Sequence, residues 1–236
     1  MINDKQFKNG KWDSAHFNIA ITKIYPQRLL DIGHIYDNDL IIVATRDNTL
    51  IPALETIGFR YITTKVIIQR RIIEEDKTWS NEYFREMRYN DIDKCARIVS
   101  DALIDQSPYT LSAKIFNKGS ILTRAKILDM YYGWFKRICN NKSSICVCFY
   151  NDEDEPRGVI ASEIDGLKAI NELFAVDKDV RGMGIGTLLG KALFSRLPIN
   201  CIFEGVINLH NLAPINLWCS LGAKIDRVEY VLHKWR

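Results

Sequence analysis

Long apolar runs are missing from this chain of 236 residues: none approaches the roughly 18 residues that a membrane span requires. Met1-Ile-Asn-Asp-Lys5 does not read as a secretory leader, so a cytoplasmic location is expected. Strong charge of one sign is absent too. The formal net charge of +3 is too small to argue for a nucleic-acid partner, while a local basic cluster still suits an anionic ligand. The six cysteines include no Cys-x-x-Cys pair, and Cys146 and Cys148, two apart on an expected strand, share one face instead of forming a metal claw. Reduced core thiols and no metal are therefore expected. A composition 47% hydrophobic and 26% charged leaves no need for disorder, and the length suits one large domain or two smaller ones.

What is present is concentrated in Asn171–Leu197. An apolar strand is expected from Ala169 to Val176, a glycine-rich turn from Arg181 to Gly186, and a helix to Leu197 with apolar residues at Ile185, Leu188, Leu189, Ala192, Leu193 and Leu197, stopped by Pro198. A strand that delivers glycines to a helix N-terminus points several backbone N–H groups and the positive end of the helix dipole at one place, which favours a phosphate. Spacing narrows the choice. Counting from Gly182, Thr187 stands where a dinucleotide fingerprint needs its third glycine; a Walker loop would need a glycine at Ile185 and a hydroxyl at Ala192. Arg-x-x-Gly-x-Gly does fit, through Arg181, Gly184 and Gly186, with Val176 closing the strand five residues earlier. The bland alternative is an ordinary glycine turn before a core helix.

The ends of the chain repeat one another. Asp39–Thr45 reads as a strand, Thr49–Ile57 as a helix with Pro52 in its first turn, Gly58 as its stop, and Tyr61–Gln69 as a β-branched strand. Cys201–Asn208, a helix with Pro214 early and Leu221-Gly222 at its end, and Lys224–His233 follow the same order. A shift of 164 residues lays Leu54, Ile57 and Gly58 on Trp218, Leu221 and Gly222 without gaps. The N-terminal region then reads as a half copy of the C-terminal end that lacks the glycine turn, although strand–helix–Gly–strand also arises by chance in α/β proteins. The expected domains are residues 1–73 and 85–236, joined by a linker at 74–84. Within the second, Met87–Tyr89 should be the first strand. Asp91 should cap a helix with Ile92, Cys95, Ala96, Val99 and Leu103 inward, and Asp105–Gly119 should be a loop. A second helix shows Ile121, Ala125, Leu128, Tyr132 and Phe135 on one stripe, and Ile145–Tyr150 and Arg157–Ile164 should form a hairpin.

The turn motif resembles the acyl-CoA motif of the GNAT acetyltransferase superfamily, and the order β-α-α-β-β-β-α-β-α-β over residues 87–236 is similar to that fold. The resemblance implies an α/β (α+β) GNAT acyl-CoA N-acyltransferase fold with a mixed central sheet, preceded by a smaller N-terminal half-GNAT-like α/β domain. Trp12–Asn18, Ser107–Asn140 and Tyr230–Arg236 resemble a smaller group, the dTDP-fucosamine acetyltransferases. That likeness implies acyl transfer from acetyl-CoA, or another short acyl-CoA such as hydroxybutanoyl-CoA, to the 3- or 4-amino group of a dTDP-linked 6-deoxyhexose, for cell-surface polysaccharide such as O-antigen. It also implies a degenerate N-terminal half domain. Phe174, Ala175 and Val176 would hold the thioester. Arg181, Gly182, Met183, Gly184, Ile185, Gly186 and Thr187 would hold the pyrophosphate, with Asn211 on the last helix also against CoA.

Amide formation from a thioester needs a polarised carbonyl, a neutral amine and a tolerated thiolate. The resemblance places an exposed amide for the first task in Leu173–Val176. Glu172 is the candidate base, with strand pairing or sugar binding as its alternative, and Glu163 a weaker candidate. The family's thiolate donor is a Tyr seven residues after an Asn. Here Asn211 is followed at that spacing by Trp218, whose indole donates a hydrogen bond without surrendering its proton. His210 and Asn208 are the nearest substitutes, and loss of catalysis is a third possibility. Tyr109 and Phe116 are candidates to stack on thymine, and Lys114, Lys118, Arg124 and Lys126 to meet the diphosphate. A homodimer is expected from the resemblance, with Glu229–Trp235 as an edge for pairing.

Overall fold

Residues 7–9, 11–26, 38–119 and 122–236 are described by the structure, a computed structural model, with side chains from Ser14 onward. Met1–Lys5 and Ile121 therefore lie outside the described residues. The elements begin with β1 (Phe7–Asn9), α1 (Lys11–Phe17), β2 (Ile21–Ile24), β3 (Leu40–Thr45), α2 (Leu50–Thr56) and β4 (Arg60–Arg71). Next come β5 (Phe84–Glu86), α3 (Ile92–Leu103), α4 (Pro108–Ile115), α5 (Arg124–Asn140), β6 (Ser144–Tyr150), β7 (Pro156–Asp165) and β8 (Lys168–Val176). The last four are α6 (Ile185–Arg196), β9 (Ile202–Asn208), α7 (Leu212–Ser220) and β10 (Lys224–Trp235). Two compact units divide the chain. One holds the residues up to Val66 together with Gln106–Thr123 and Arg227–Arg236; the other holds Ile67–Asp105 and Arg124–Asp226.

The first unit is a sheet in the order β1-β2-β3-β10-β4. β2 runs parallel to β3, from Ile21 opposite Leu40 to Ile24 opposite Val43, and β10 runs antiparallel to β3 from Tyr230 opposite Thr45 to Trp235 opposite Leu40. Every residue of β3 is buried, which is why it reads as a continuous apolar run instead of alternating. Ile24, Ile41, Val43, Leu54, Phe59 and Leu232 form the core on the α2 face. The expectation of a free edge at Glu229–Trp235 is corrected here, because β10 lies between β3 and β4 and its hydrogen-bonding groups on the β3 side are spent on the ladder.

In the second unit the order is β9-β8-β7-β6-β5, with the end of β4 beside β9. β8 and β9 are parallel and the β5–β8 ladders antiparallel, so the sheet is mixed. Side-chain alternation sends Cys148 and its neighbour Val159 toward α3, where Cys95 Sγ lies 3.5 Å from Cys148 Sγ. A Cβ on Gly158 would point the opposite way, 3.0 Å from Leu189 of α6. Helices thus cover both faces. Glu74–Thr78, expected in the linker, is a 3-10 turn within this unit; Asp76 accepts a hydrogen bond from the Ile73 N–H (3.0 Å) and pairs with Arg70 at 2.8 Å.

Four local expectations are corrected. The first strand is Phe84–Glu86, and Tyr89–Asp91 is a 3-10 turn. Asp91 precedes α3 as expected but makes no side-chain cap, because its carboxylate accepts from Arg88 Nε and the Tyr150 hydroxyl, each at 2.8 Å. Pro108 starts a helix where a loop is expected. The buried residues of α4 are Thr110, Ser112 and Ala113, so no apolar period announces it. On α5 the buried face is Ile127, Met130, Tyr131, Phe135 and Ile138, so Leu128 and Tyr132 lie beside it instead of in it. Tyr132 offers its ring face to the Lys136 amine at 4.5 Å.

Candidate active site

β8 is the element that shapes the site. Against β7 it pairs along its whole length, but the register slips: Ala161 faces Leu173 while Ser162 faces Asn171. Glu172 is the extra residue of a β-bulge. On its other side β8 pairs with β9 only from Lys168 opposite Ile202 to Ile170 opposite Glu204. Beyond Ile170 the two parallel strands no longer pair, and Val206 in the middle of β9 is exposed at 41%. Phe174 and Val176 point toward α6, as shown by a Cβ on Gly186, which would meet their side chains at 3.3 and 3.8 Å.

The turn below this gap is built on glycine where the backbone demands it. Gly182 and Gly184 sit at φ +80° and +79°, and Gly184 is the residue before the first turn of α6. A Cβ on either would meet nothing within 4 Å, so space is open above both. Arg181 is fixed to the end of β8 by its Nε–H donating to the Val176 carbonyl at 2.9 Å. Asp177 accepts from the Asp179 N–H (3.2 Å) and, at 3.4 Å, pairs with Arg157. Met183 is exposed, whereas Ile185 is buried under the turn and Thr187 half-buried in the first turn of α6. Ala175 is buried on the α3 side.

Gly186 and Gly190, four apart on α6, form a groove for α7. Leu217 Cδ1 lies 2.9 Å from a Cβ on Gly186, and Leu221 Cδ1 lies 2.5 Å from one on Gly190. Between them sits Trp218, 1% exposed, whose ring packs on Phe203, Phe174 and Phe194 at 4.7, 5.5 and 5.7 Å between centroids. These are packing contacts on a buried indole. Asn211 stands half-buried at the N-terminus of α7 without a side-chain cap, and His210 is exposed in the turn before it.

Glu172 is not isolated. Its Oε2 accepts from Trp134 Nε1 at 2.6 Å and from the Arg137 guanidinium, and among the described residues no donor reaches Oε1. Arg137 also donates to Glu163 Oε2 at 3.0 Å, and Asn141 donates to Glu163 Oε1 at 3.1 Å. Burial would lower the Arg137 pKa, but the Glu163 hydrogen bond and the two carboxylates outweigh it and hold the guanidinium above its usual range. The structure therefore brings Glu172 and Glu163 together through one arginine. Trp134, Arg137 and Asn141 are functional candidates that the sequence reading missed; their three- and four-residue spacing along α5 and the residue that follows it is the signal that was available.

Tyr109 and Phe116 belong to the first unit. Tyr109, on α4, packs against Phe17 and His233 with ring centroids 5.8 and 6.4 Å away, and Phe116 is the half-buried residue that ends α4. Lys114 and Arg124 are exposed, and Arg124 pairs with Asp101. Among the described residues no group of three or more His, Cys, Asp or Glu side chains is placed to hold a metal, and no helix is long and apolar enough to cross a membrane.

No protein-family model matches the chain, and no curated protein matches it. Solved structures do. One match is a GCN5-related N-acetyltransferase from Sphaerobacter thermophilus, with a TM-score of 0.55 at 13% identity over 91% of this chain and 73% of that one. The fold is that of the GNAT acetyltransferases. A tandem GNAT protein from the clavulanic acid biosynthesis pathway matches at TM-score 0.53 and 10% identity over 91% of this chain and 75% of its own. A conserved protein of unknown function from Staphylococcus epidermidis matches at 0.61 and 15%, over 92% and 84%. The expected mixed-sheet GNAT architecture is thus present. The bulged β8, its parting from β9 and the open glycine turn also fit an acyl-CoA: an extended pantetheine arm can lie along a strand freed of its neighbour, and a pyrophosphate can meet the turn amides.

Proposed function

We propose that the second unit is an acyl-CoA-dependent N-acyltransferase, and that its acceptor is the amino group of a dTDP-linked 3- or 4-amino-6-deoxyhexose. The observation that carries the first part is the bulge at Glu172 just beyond Ile170, the last residue of β8 paired with β9. The acceptor rests on the resemblance of Trp12–Asn18, Ser107–Asn140 and Tyr230–Arg236 to the dTDP-fucosamine enzymes. An acyl-CoA supplies the activated thioester carbonyl. The chain supplies position and proton handling. Backbone N–H groups of Leu173–Val176, unpaired with β9, are donors for the developing oxyanion. Gly182–Gly186 and the start of α6 bind the diphosphate, and Arg181 stays tied to β8.

Proton removal from the amine falls to Glu172. Its Oε2 is held by Trp134 and Arg137, which fixes the carboxylate and leaves Oε1 to accept a proton directly or through water. Trp218, locked among three phenylalanine rings, serves as packing, so the thiolate departs without a proton from that position. That placement gives one alternative its footing, a non-catalytic acyl-CoA-binding protein; a GNAT enzyme for another small amine or a protein N-terminus is the other. Incubation with acetyl-CoA and dTDP-3-amino- or dTDP-4-amino-6-deoxyhexose, followed by free-thiol titration, separates them: thiol release dependent on the amino sugar is expected, and CoA binding without release refutes catalysis. Glu172→Gln should lower kcat/KM by about 10²- to 10⁴-fold; an unchanged kcat/KM excludes Glu172 as the base.

A further inference from the structure

Five polar side chains of the second unit form one unbroken chain of hydrogen bonds beneath α5. Asn141 Nδ2 donates to Glu163 Oε1 at 3.1 Å, and Arg137 Nη1 donates to Glu163 Oε2 at 3.0 Å. Arg137 Nη2 donates in turn to Glu172 Oε2, which also accepts from Trp134 Nε1 at 2.6 Å. The backbone explains why they meet. Glu163 lies opposite Ile170 on the β7–β8 ladder, and Glu172, two residues further along β8, returns its side chain to the same face. Trp134 and Arg137 are three apart on α5 and Asn141 follows four later, just past the helix end, so the three donors share one side.

The two carboxylates are used differently. Each oxygen of Glu163 accepts from a donor of its own, whereas on Glu172 both donors converge on Oε2. Glu163 thus has the pattern of an anchor, and Glu172 that of a group held by one oxygen with the other presented. The anchor is itself fixed. Asn141 Oδ1 accepts from the Ser143 N–H at 3.0 Å and the Asn141 carbonyl from the Ser144 N–H at 2.9 Å, so the turn from α5 into β6 aims Nδ2 at Glu163. Arg137 spends a different terminal nitrogen on each carboxylate, so the plane of its guanidinium is set by Glu163 as much as by Glu172.

We propose that Glu163, supported by Asn141, is a positioning residue for acyl transfer: it holds Arg137 in the orientation that ties down Oε2 of Glu172 and leaves Oε1 for the amine. The proposal rests on Glu172 as the base. Glu163 itself takes no proton and touches no reacting atom, so losing it costs rate and not acyl-CoA binding.

Steady-state thiol release by the full chain, with acetyl-CoA and dTDP-3-amino- or dTDP-4-amino-6-deoxyhexose, tests it. Glu163→Ala should lower kcat about 10- to 100-fold, the range that a misplaced reacting group costs, with the acyl-CoA KM within about 2-fold. Ion pairs this exposed add little to stability, so the urea midpoint should hardly move. Arg137→Ala should lose a similar factor, and adding Glu163→Ala to it should cost nothing more, because Glu163 acts only through Arg137. Arg137→Lys, which keeps the charge without the two fixed nitrogens, should fall as far as Arg137→Ala. An unchanged kcat in Glu163→Ala, multiplying losses in the double variant, or a wild-type rate in Arg137→Lys overturns the proposal. Should Glu163→Ala unfold, Arg137→Lys decides. Failure of the underlying reading looks different: Glu172→Gln then keeps its full kcat/KM, or no amino sugar releases thiol, and the proposal falls with it.

Discussion

Replacing Gly190 by alanine tests whether Trp218 is a fixed part of the core. In an exposed helix interior this change would stabilise by about 1 kcal/mol, since glycine loses more backbone entropy than alanine. Here the new Cβ would lie 2.5 Å from Leu221 Cδ1 and 3.1 and 3.5 Å from Trp218 Cζ3 and Cη2. Leu221 is half-exposed and can turn its terminal methyl aside. The indole cannot, because Phe174, Phe194 and Phe203 hold its other faces. The relief must come from α6 moving by a few tenths of an ångström, an overpacking that costs about 1–3 kcal/mol. The helix gain offsets part of this, leaving a net loss of about 0.5–2 kcal/mol. Trp218→Tyr removes the carbons that clash, so Gly190→Ala should be neutral or stabilising in that background. The double-mutant cycle should then show a coupling of about 1–2 kcal/mol. Urea unfolding at constant m measures all four proteins. If Gly190→Ala raises the midpoint in the wild-type background, the indole is free to move and remains eligible as a donor to sulfur.

Gly184→Ala, at φ +79° with open space above it, should cost about 1 kcal/mol of stability and raise the acyl-CoA KM, read by steady-state kinetics against denaturant midpoints. Gly58→Ala and Gly222→Ala, at φ +94° and +83°, should each lower Tm by about 2–4 °C, because both positions end a helix in the same left-handed geometry. His233 makes stability pH-dependent: the unfolded chain binds a proton below its usual pKa near 6.5 that the native imidazole does not bind until about pH 3. Stability is then fully present above pH 6.5 and falls with decreasing pH through that window, with a slope of up to about 1.4 kcal/mol per unit, and His233→Leu should remove that slope in acid-titration unfolding curves.

Much of the fold was legible because its signals are local. The β-branched run Tyr61–Gln69, the hairpin around Asn151–Pro156 and the glycine turn each specify their element through neighbours in sequence, and each stands within a residue or two of its expected place. α4 was not legible, since its buried side chains are Thr, Ser and Ala. The site was legible in its glycines and not in its acids. Glu172 could be named as a carboxylate on the strand, but its place at a bulge depends on how β8 registers with β7, which no local pattern encodes. Arg137 gained its meaning only when α5 was laid over Glu163 and Glu172.

The repeat that the sequence shows by a shift of 164 is reproduced in atomic detail at the two helix ends. Phe59 N–H donates to the Leu54 carbonyl and Ala223 N–H to the Trp218 carbonyl, both at 3.0 Å, across Gly58 and Gly222. Each glycine is overlain by a basic side chain from the final strand of the other copy, Lys234 Cε at 3.5 Å from a Cβ on Gly58 and Arg70 Nε at 3.4 Å from one on Gly222. Arg70 and Lys234 are themselves related by the same shift. The capping geometry is therefore the same at both helix ends, while the packing residue inside each cap differs. Leu54 fills a sheet-and-helix core with Ile24, Ile41 and Val43, whereas Trp218 reaches across to α6, the helix that begins at the glycine turn. The larger residue is where a second helix must be held against the sheet. Its burial follows from supporting the glycine turn from behind, a task that Leu54 does not have.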